Sequence, residues 1–237
     1  MKKYKVIIDT DPGCDDTLAI IMAMNNPKLD IKLFTTVAGN IGIDIATRNM
    51  CFILDIFKKD YPVAKGAKKA MKRISEDASF LHDANGLGGY IPPKTTLHQP
   101  IEEDCVEAMY RVIKENPNEI VIIAIGPHTN LGNLFTKHPD AKKLVKMIVY
   151  EGCAPFGLPN DPEYNSFNAK TDPEAQKIVL ESGIPVVMTP SNIGRYKTHF
   201  TEEMIKEFPF INDTTRFLHK TCETYWEPDA PDMRIAT

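Results

Sequence analysis

Short apolar runs recur along this chain and alternate with segments of helical periodicity, and that alternation constrains the fold more than any other feature. The runs are Val6–Ile8, Ile31–Val37, Val63–Ala64, Ile120–Ile125, Met147–Tyr150 and Pro185–Met188. Several are continuous and β-branched rather than alternating, as expected of strands covered on both faces. Between them lie helical patterns over Asp15–Asn25, Ile43–Phe57, Ile101–Lys114, Asn130–Thr136 and Asp172–Glu181. In the third of these, Ile101, Cys105, Val106, Met109 and Ile113 recur at helical spacing and describe one buried stripe. The rhythm predicts an α/β fold with a mostly parallel central sheet and helices on both faces. No repeat, low-complexity segment or linker interrupts residues 1–237, which read as a single domain. From Phe200 the pattern is helical only, with Thr201-Glu202-Glu203 as a helix start. Residues 66–99 and 151–170 break the rhythm, and loops of that length usually serve binding or closure.

Composition narrows the function classes. The 237 residues are 43% hydrophobic and 25% charged, with a formal net charge of -4. Such a balance belongs to a soluble globular protein and argues against partnership with nucleic acid or a membrane surface through bulk charge. The basic run Lys65, Lys68, Lys69, Lys72 and Arg73 reads as a solvated surface. Five cysteines lie scattered without a C-x-x-C pair, which points to reduced thiols and a cytoplasmic protein. No apolar stretch approaches the roughly 20 residues of a membrane span.

Chemistry concentrates directly after the first predicted strand, where four aspartates fall within eight residues: Asp9-Thr10-Asp11-Pro12-Gly13-Cys14-Asp15-Asp16. Carboxyl ends of strands are where open α/β sheets place their ligands. Like charges crowded into one turn repel, and carboxylate oxygens are preferred ligands of hard cations, so the turn reads as a metal site. Helix capping alone explains Asp15 or Asp16 but leaves Asp9 and Asp11 without a role. Neighbouring carboxylates make Cys14 a poor nucleophile, and it reads as packing.

Four further segments end predicted strands or fill the long loops. Asn40 follows Thr35-Thr36-Val37-Ala38-Gly39 and is either a turn residue or a polar group aimed at a ligand. Gly126-Pro127-His128-Thr129-Asn130 forces a turn whose freed carbonyl suits a hard cation, while Thr129 or Asn130 also suits a plain helix cap. Asn160, Asn165, Ser166 and Asn168 precede Asp172-Pro173, and neutral amides suit recognition of a polyhydroxyl ligand. His82, in the glycine-rich stretch that ends Gly86-Leu87-Gly88-Gly89, is a candidate proton donor.

Taken in order, Asp9-Thr10-Asp11-Pro12-Gly13-x-Asp15-Asp16, Gly39-Asn40, Gly126-Pro127-x-Thr129-Asn130 and Phe167-Asn168-x-x-x-Asp172-Pro173-Glu174-Ala175 resemble the inosine–uridine preferring nucleoside hydrolases. The resemblance implies a Rossmann-like fold and Ca²⁺-dependent hydrolysis of the N-glycosidic bond of ribonucleosides, through an oxocarbenium-like transition state. It implies that Asp11, Asp16 and the Thr129 carbonyl ligate calcium. Asp11 is implied as general base, His82 as an aid to the leaving base, and Asp15, Asn40, Asn160, Ser166 and Asn168 as sugar-binding residues. Asp9 would support the turn from behind. A homo-oligomer, dimer or tetramer, is a further expectation.

Two positions depart from the family pattern. Position 166 is serine where the family usually has glutamate, and no later His-Asp dipeptide occurs before Thr237. Asp229 or Asp232 would have to replace the missing metal carboxylate, and the C-terminal part reads as helical and short. These departures motivate an alternative, a catalytically impaired relative that binds ribosides or a protein partner. Asp9-Thr10-Asp11 also fits the Asp-x-Asp of Mg²⁺-dependent phosphatases of the haloacid dehalogenase type, which Pro12-Gly13 and Asp15-Asp16 do not fit.

Overall fold

The computed structural model describes residues 3–73, 85–153, 157, 165–190, 193, 201–207, 209 and 211–224. Its strands are β1 (Tyr4–Thr10), β2 (Leu29–Thr36), β3 (Val63–Lys65), β4 (Ile120–Ala124), β5 (Met147–Cys153) and β6 (Val186–Pro190). All pair in parallel, in the order β3-β2-β1-β4-β5-β6. The chain builds outward from β1 in one direction and then returns to build from β4 in the other. That reversal opens a crevice at the carboxyl ends of β1 and β4, the place where such sheets bind ligands.

Two apolar layers explain why the strand sequences run continuously hydrophobic. Ile7, Leu33, Ile120, Ile122 and Ala124 pack on one face with α3 (Cys105–Glu115) and α4 (Thr129–Lys137). Val6, Ile8, Phe34 and Val121 pack on the other with α1 (Cys14–Asn25) and α2 (Ile43–Ile56). The β1–β2 register slips between Val6 and Ile7, which face Ile31 and Leu33. Lys32 is the extra residue, so Ile31 and Leu33 enter opposite layers despite their equal parity.

Local boundaries follow from caps. The third helix starts at Cys105 rather than Ile101, because Asp104 accepts hydrogen bonds from the Val106 and Glu107 amides. Ile101 instead makes a parallel bridge to Ala64 beside β3. Position 151 and its neighbours extend β5 to Cys153, and the expected loop over 151–170 also contains α5 (Phe167–Thr171). After α6 (Pro173–Leu180) and β6, the described C-terminal elements are α7 (Glu202–Lys206) and α8 (Asp213–Thr224), helical as the sequence predicts. Thr201 Oγ1 accepts from the Met204 amide at the start of α7. Phe217 of α8 is fully buried against Phe52 and Tyr90. No helix among the described residues is long and apolar enough to cross a membrane.

Candidate active site

Asp11 occupies the crevice. It lies one residue beyond β1, and glycines stand on both sides of its carboxylate. A Cβ at Gly39 would overlap Asp11 Oδ2 and meet Pro127 Cδ at 2.8 Å, while one at Gly126 would come within 2.5 Å of Asp11 Oδ1. Only glycine at the ends of β2 and β4 leaves room for this carboxylate. Oδ2 accepts the Asn40 backbone N–H at 2.6 Å. Oδ1 is buried and, among the described residues, accepts no hydrogen bond. Burial, then the charge of Asp16, push the Asp11 carboxyl well above its usual range.

Asp16, in the first turn of α1, sits beside it. Its Oδ1 accepts from Thr10 Oγ1 at 2.6 Å, and its Oδ2 accepts from the Asn40 amide at 2.9 Å and from Gly13 N at 3.4 Å. Its carboxylate thus reaches back to the backbone N–H before α1, half of a capping box that Gly13, with no side chain, does not complete. Burial, then Asp15, raise its pKa to about 7. Asp15 is partly buried, and its charge acts on Asp11 and Asp16 alike. Both protons of the Asn40 side-chain amide are engaged, by Asp16 Oδ2 and by the Asp11 carbonyl at 3.3 Å.

Behind this pair, Asp9 is buried with Oδ1 accepting from Thr35 Oγ1 at 2.5 Å and Asn130 Nδ2 at 2.7 Å. Burial raises it to about 7 against those two hydrogen bonds. Asn130 also donates to Thr36 O and accepts from the Ala67 amide, so one side chain ties together β1, β2 and the loop after β3. It does not cap α4. His128 takes the cap position, and the Thr129 hydroxyl donates to Asp172 Oδ2 at 2.7 Å. Asp172 also accepts the Met71 amide and, as the cap of α6, the Ala175 amide. The Thr129 backbone is therefore held from its side chain. His128 is buried edge-on to Tyr150, and burial lowers its pKa to about 4, so it stays neutral at ordinary pH.

On the β5 side, Asn168 donates to Ile125 O at 2.9 Å and to Glu151 Oε2 at 3.2 Å. Ser166 is buried, and its Oγ caps α5 by accepting from the Ala169 amide at 3.4 Å. Glu151 was not singled out by its sequence pattern. Burial, then the charges of Asp15 and Asp16, raise its pKa to about 8. The available signal was its position, at the carboxyl end of an apolar strand and immediately before a glycine. Asn49 is a second such residue: from α2 it donates to Pro12 O and Asn85 O, joining the acidic turn to the glycine-rich loop.

The structure brings together Asp11, Asp15, Asp16, Asn40 and Glu151, with Thr129 and Asn168 on the flanking elements. His82, Asn160, Asp229 and Asp232 lie outside the described residues. Among the described residues no three His, Cys, Asp or Glu side chains form a complete metal-binding group. The expected ligand set has only two carboxylates and a carbonyl. An unpartnered, buried carboxylate oxygen on Asp11 is nonetheless the kind of group that a hard cation satisfies.

Residues 6–233 match the family model of the inosine-uridine preferring nucleoside hydrolases. The chain is similar to the non-specific ribonucleoside hydrolase RihC of Salmonella typhi, 32% identical over 220 residues, which covers 93% of this chain and 71% of the relative. Among solved structures it resembles a plant nucleoside hydrolase (PpNRh1 enzyme) with a TM-score of 0.83 and 31% identity, covering 94% of this chain and 70% of the other. The purine-preferring ribonucleoside hydrolase from Gardnerella vaginalis superposes with a TM-score of 0.85 at 28% identity, covering 93% and 71%.

Proposed function

The chain belongs to the inosine-uridine preferring nucleoside hydrolase family and is an N-glycosidase, and from this premise we propose that it hydrolyses ribonucleosides to free base and ribose in a Ca²⁺-dependent reaction. The observation that carries the calcium reading is the buried Asp11 Oδ1, set between Gly39 and Gly126 and left without a hydrogen bond. Asp11, Asp16 and the Thr129 carbonyl would hold the ion. When bound, calcium supplies Lewis-acid activation of water and anchorage for vicinal hydroxyls.

The remaining chemistry belongs to the side chains. Asp11 takes the proton of the attacking water as general base, with its other oxygen fixed by the Asn40 amide. Asp15 accepts a hydrogen bond from a ribose hydroxyl. Asn40 has both amide protons committed, so it meets the sugar through its carbonyl oxygen. Asn168, Asn160 and Ser166 complete the sugar contacts, Ser166 chiefly by holding the start of α5 that presents Asn168. An acidic pocket favours the positive charge that develops on the ribose ring as the glycosidic bond breaks. His82 donates a proton to the departing base. The free base is then available for salvage.

Incubating the purified protein with a panel of purine and pyrimidine ribonucleosides, with Ca²⁺ or with EDTA, tests this reading by release of free ribose. Release that EDTA abolishes is expected. Tight calcium binding with no release from any nucleoside would favour a riboside-binding relative instead. Phosphatase activity that needs Mg²⁺ and Asp9 would replace both.

A further inference from the structure

Glu151 is a carboxylate that the roles assigned so far leave unused. It stands at the carboxyl end of β5, partly buried, across β4 from the acidic turn. Among the described residues it pairs with no cation, and it accepts from the Gly152 backbone N–H and the Asn168 amide. Asp15 and Asp16 are close enough that their charges act on it. A carboxylate placed in an already acidic crevice, with only the Gly152 backbone N–H and the Asn168 amide against it among the described residues, weakens the fold rather than strengthening it.

Its position is tightly fixed. Gly152 follows with a φ of +91°, a conformation that other residues rarely adopt, and a Cβ there would lie 2.7 Å from Asn168 Cβ. The β5–β6 register shifts between Glu151 and Cys153, so Gly152 forms a bulge in the strand just past the glutamate. Asn168 links Glu151 to Ile125 O, the residue before Gly126, whose Cα borders Asp11 Oδ1. The carboxylate is therefore held toward the crevice rather than toward bulk solvent. Its partners among the described residues are neutral N–H groups rather than a cation, which leaves acceptor capacity that suits a neutral hydroxyl.

We propose that Glu151 accepts a hydrogen bond from the ribose 5′-hydroxyl and so selects for nucleosides that carry it. This rests on the ribonucleoside hydrolase reading above. There, Asp11, Asp16, Asp15 and Asn40 engage the sugar from the β1 side of the crevice, where the vicinal hydroxyls sit with the ion. The 5′-hydroxyl is the one these β1-side contacts do not take, and Glu151 stands on the opposite, β5 wall beside Asn168, already placed among the sugar contacts. Ser166 is committed to capping α5 and supplies no carboxylate on that wall.

A cycle of enzyme and substrate changes tests the contact. Compare kcat/KM of wild type, Glu151→Gln and Glu151→Ala on inosine and uridine with that on the matching 5′-deoxynucleosides, checking each variant by thermal melting. A ribose hydroxyl left without its acceptor in the crevice predicts a fall of roughly 10- to 100-fold on the ribonucleosides. On the 5′-deoxy substrates, where the partner is already missing, the same variants should lose no more than about threefold. Equal losses on both substrate sets would overturn the proposal, since they would show Glu151 acting only through Asn168 and the local fold. So would variants that keep wild-type rates on the ribonucleosides. A wild-type protein that releases no ribose from any nucleoside would instead overturn the parent reading, and this inference with it.

Discussion

Asp11 and its two glycine neighbours set the terms at the scale of single residues. Replacing Gly39 or Gly126 by alanine would drive a methyl group into the Asp11 carboxylate, and the carboxylate rather than the backbone would yield. Calorimetric titration with calcium should show affinity reduced roughly 10- to 100-fold for either variant, the usual effect of disturbing what orients a ligand. Wild-type affinity in both would remove Asp11 from the ion site. Asp9 makes a separate prediction, about stability. Its folded pKa is raised to about 7, above the roughly 3.9 of an unfolded aspartate. The folded state thus keeps a proton that the unfolded state has released. This contribution to stability is full below about pH 4 and is lost as pH rises through about 7. Urea unfolding of metal-stripped protein should therefore show wild type losing on the order of a few kcal/mol relative to Asp9→Asn between those limits. A wild-type-minus-variant difference that stays flat with pH would contradict the assignment.

At the scale of elements, Asp172 links the parts of the site that come from distant stretches of chain. It caps α6 through Ala175, receives the Thr129 hydroxyl at the start of α4, and receives the Met71 amide from the loop after β3. Asp172→Ala should cost about 2–4 kcal/mol in denaturant unfolding, from the lost cap together with buried donors left unpaired. It should also weaken calcium binding, because the Thr129 backbone loses its brace. Loss of stability with unchanged calcium affinity would show that Thr129 is held by other means. Asp172 and Pro173 were readable as a helix start from their sequence alone, but the hydrogen bond to Thr129 was not. Local propensity reports caps, whereas a contact spanning 43 positions depends on how the sheet order brings α4 and α6 together.

The same division holds for the whole molecule. The parallel sheet was legible because strands buried on both faces must be continuously apolar, and the acidic turn because four carboxylates within eight residues exceed what capping a helix requires. Glu151 was hidden because one charged residue after an apolar strand resembles any strand end. Its meaning depends on Asp15 and Asp16, more than a hundred residues earlier. Ile101 was misread as helical because its spacing fits the stripe of α3 while Asp104 starts the helix after it. We propose that the chain forms a homo-oligomer, and among the described residues the outer strand β6 leaves Val187 and Met188 exposed at 45% and 43%. Light scattering should return a mass of at least twice the 26.6 kDa chain. A monomer at micromolar concentration would refute that expectation.

If an Asp11-centred calcium site drives ribonucleoside hydrolysis, turnover must follow both the free Ca²⁺ concentration and the Asp11 carboxylate. Protein stripped with EDTA is returned to increasing free Ca²⁺, and ribose release from inosine and uridine is followed for wild type and Asp11→Ala. Release should be absent without the ion, rise saturably for wild type, and run roughly 10²- to 10⁴-fold slower for Asp11→Ala at saturating calcium. Full activity in the stripped protein, or an Asp11→Ala variant as fast as wild type, would contradict it.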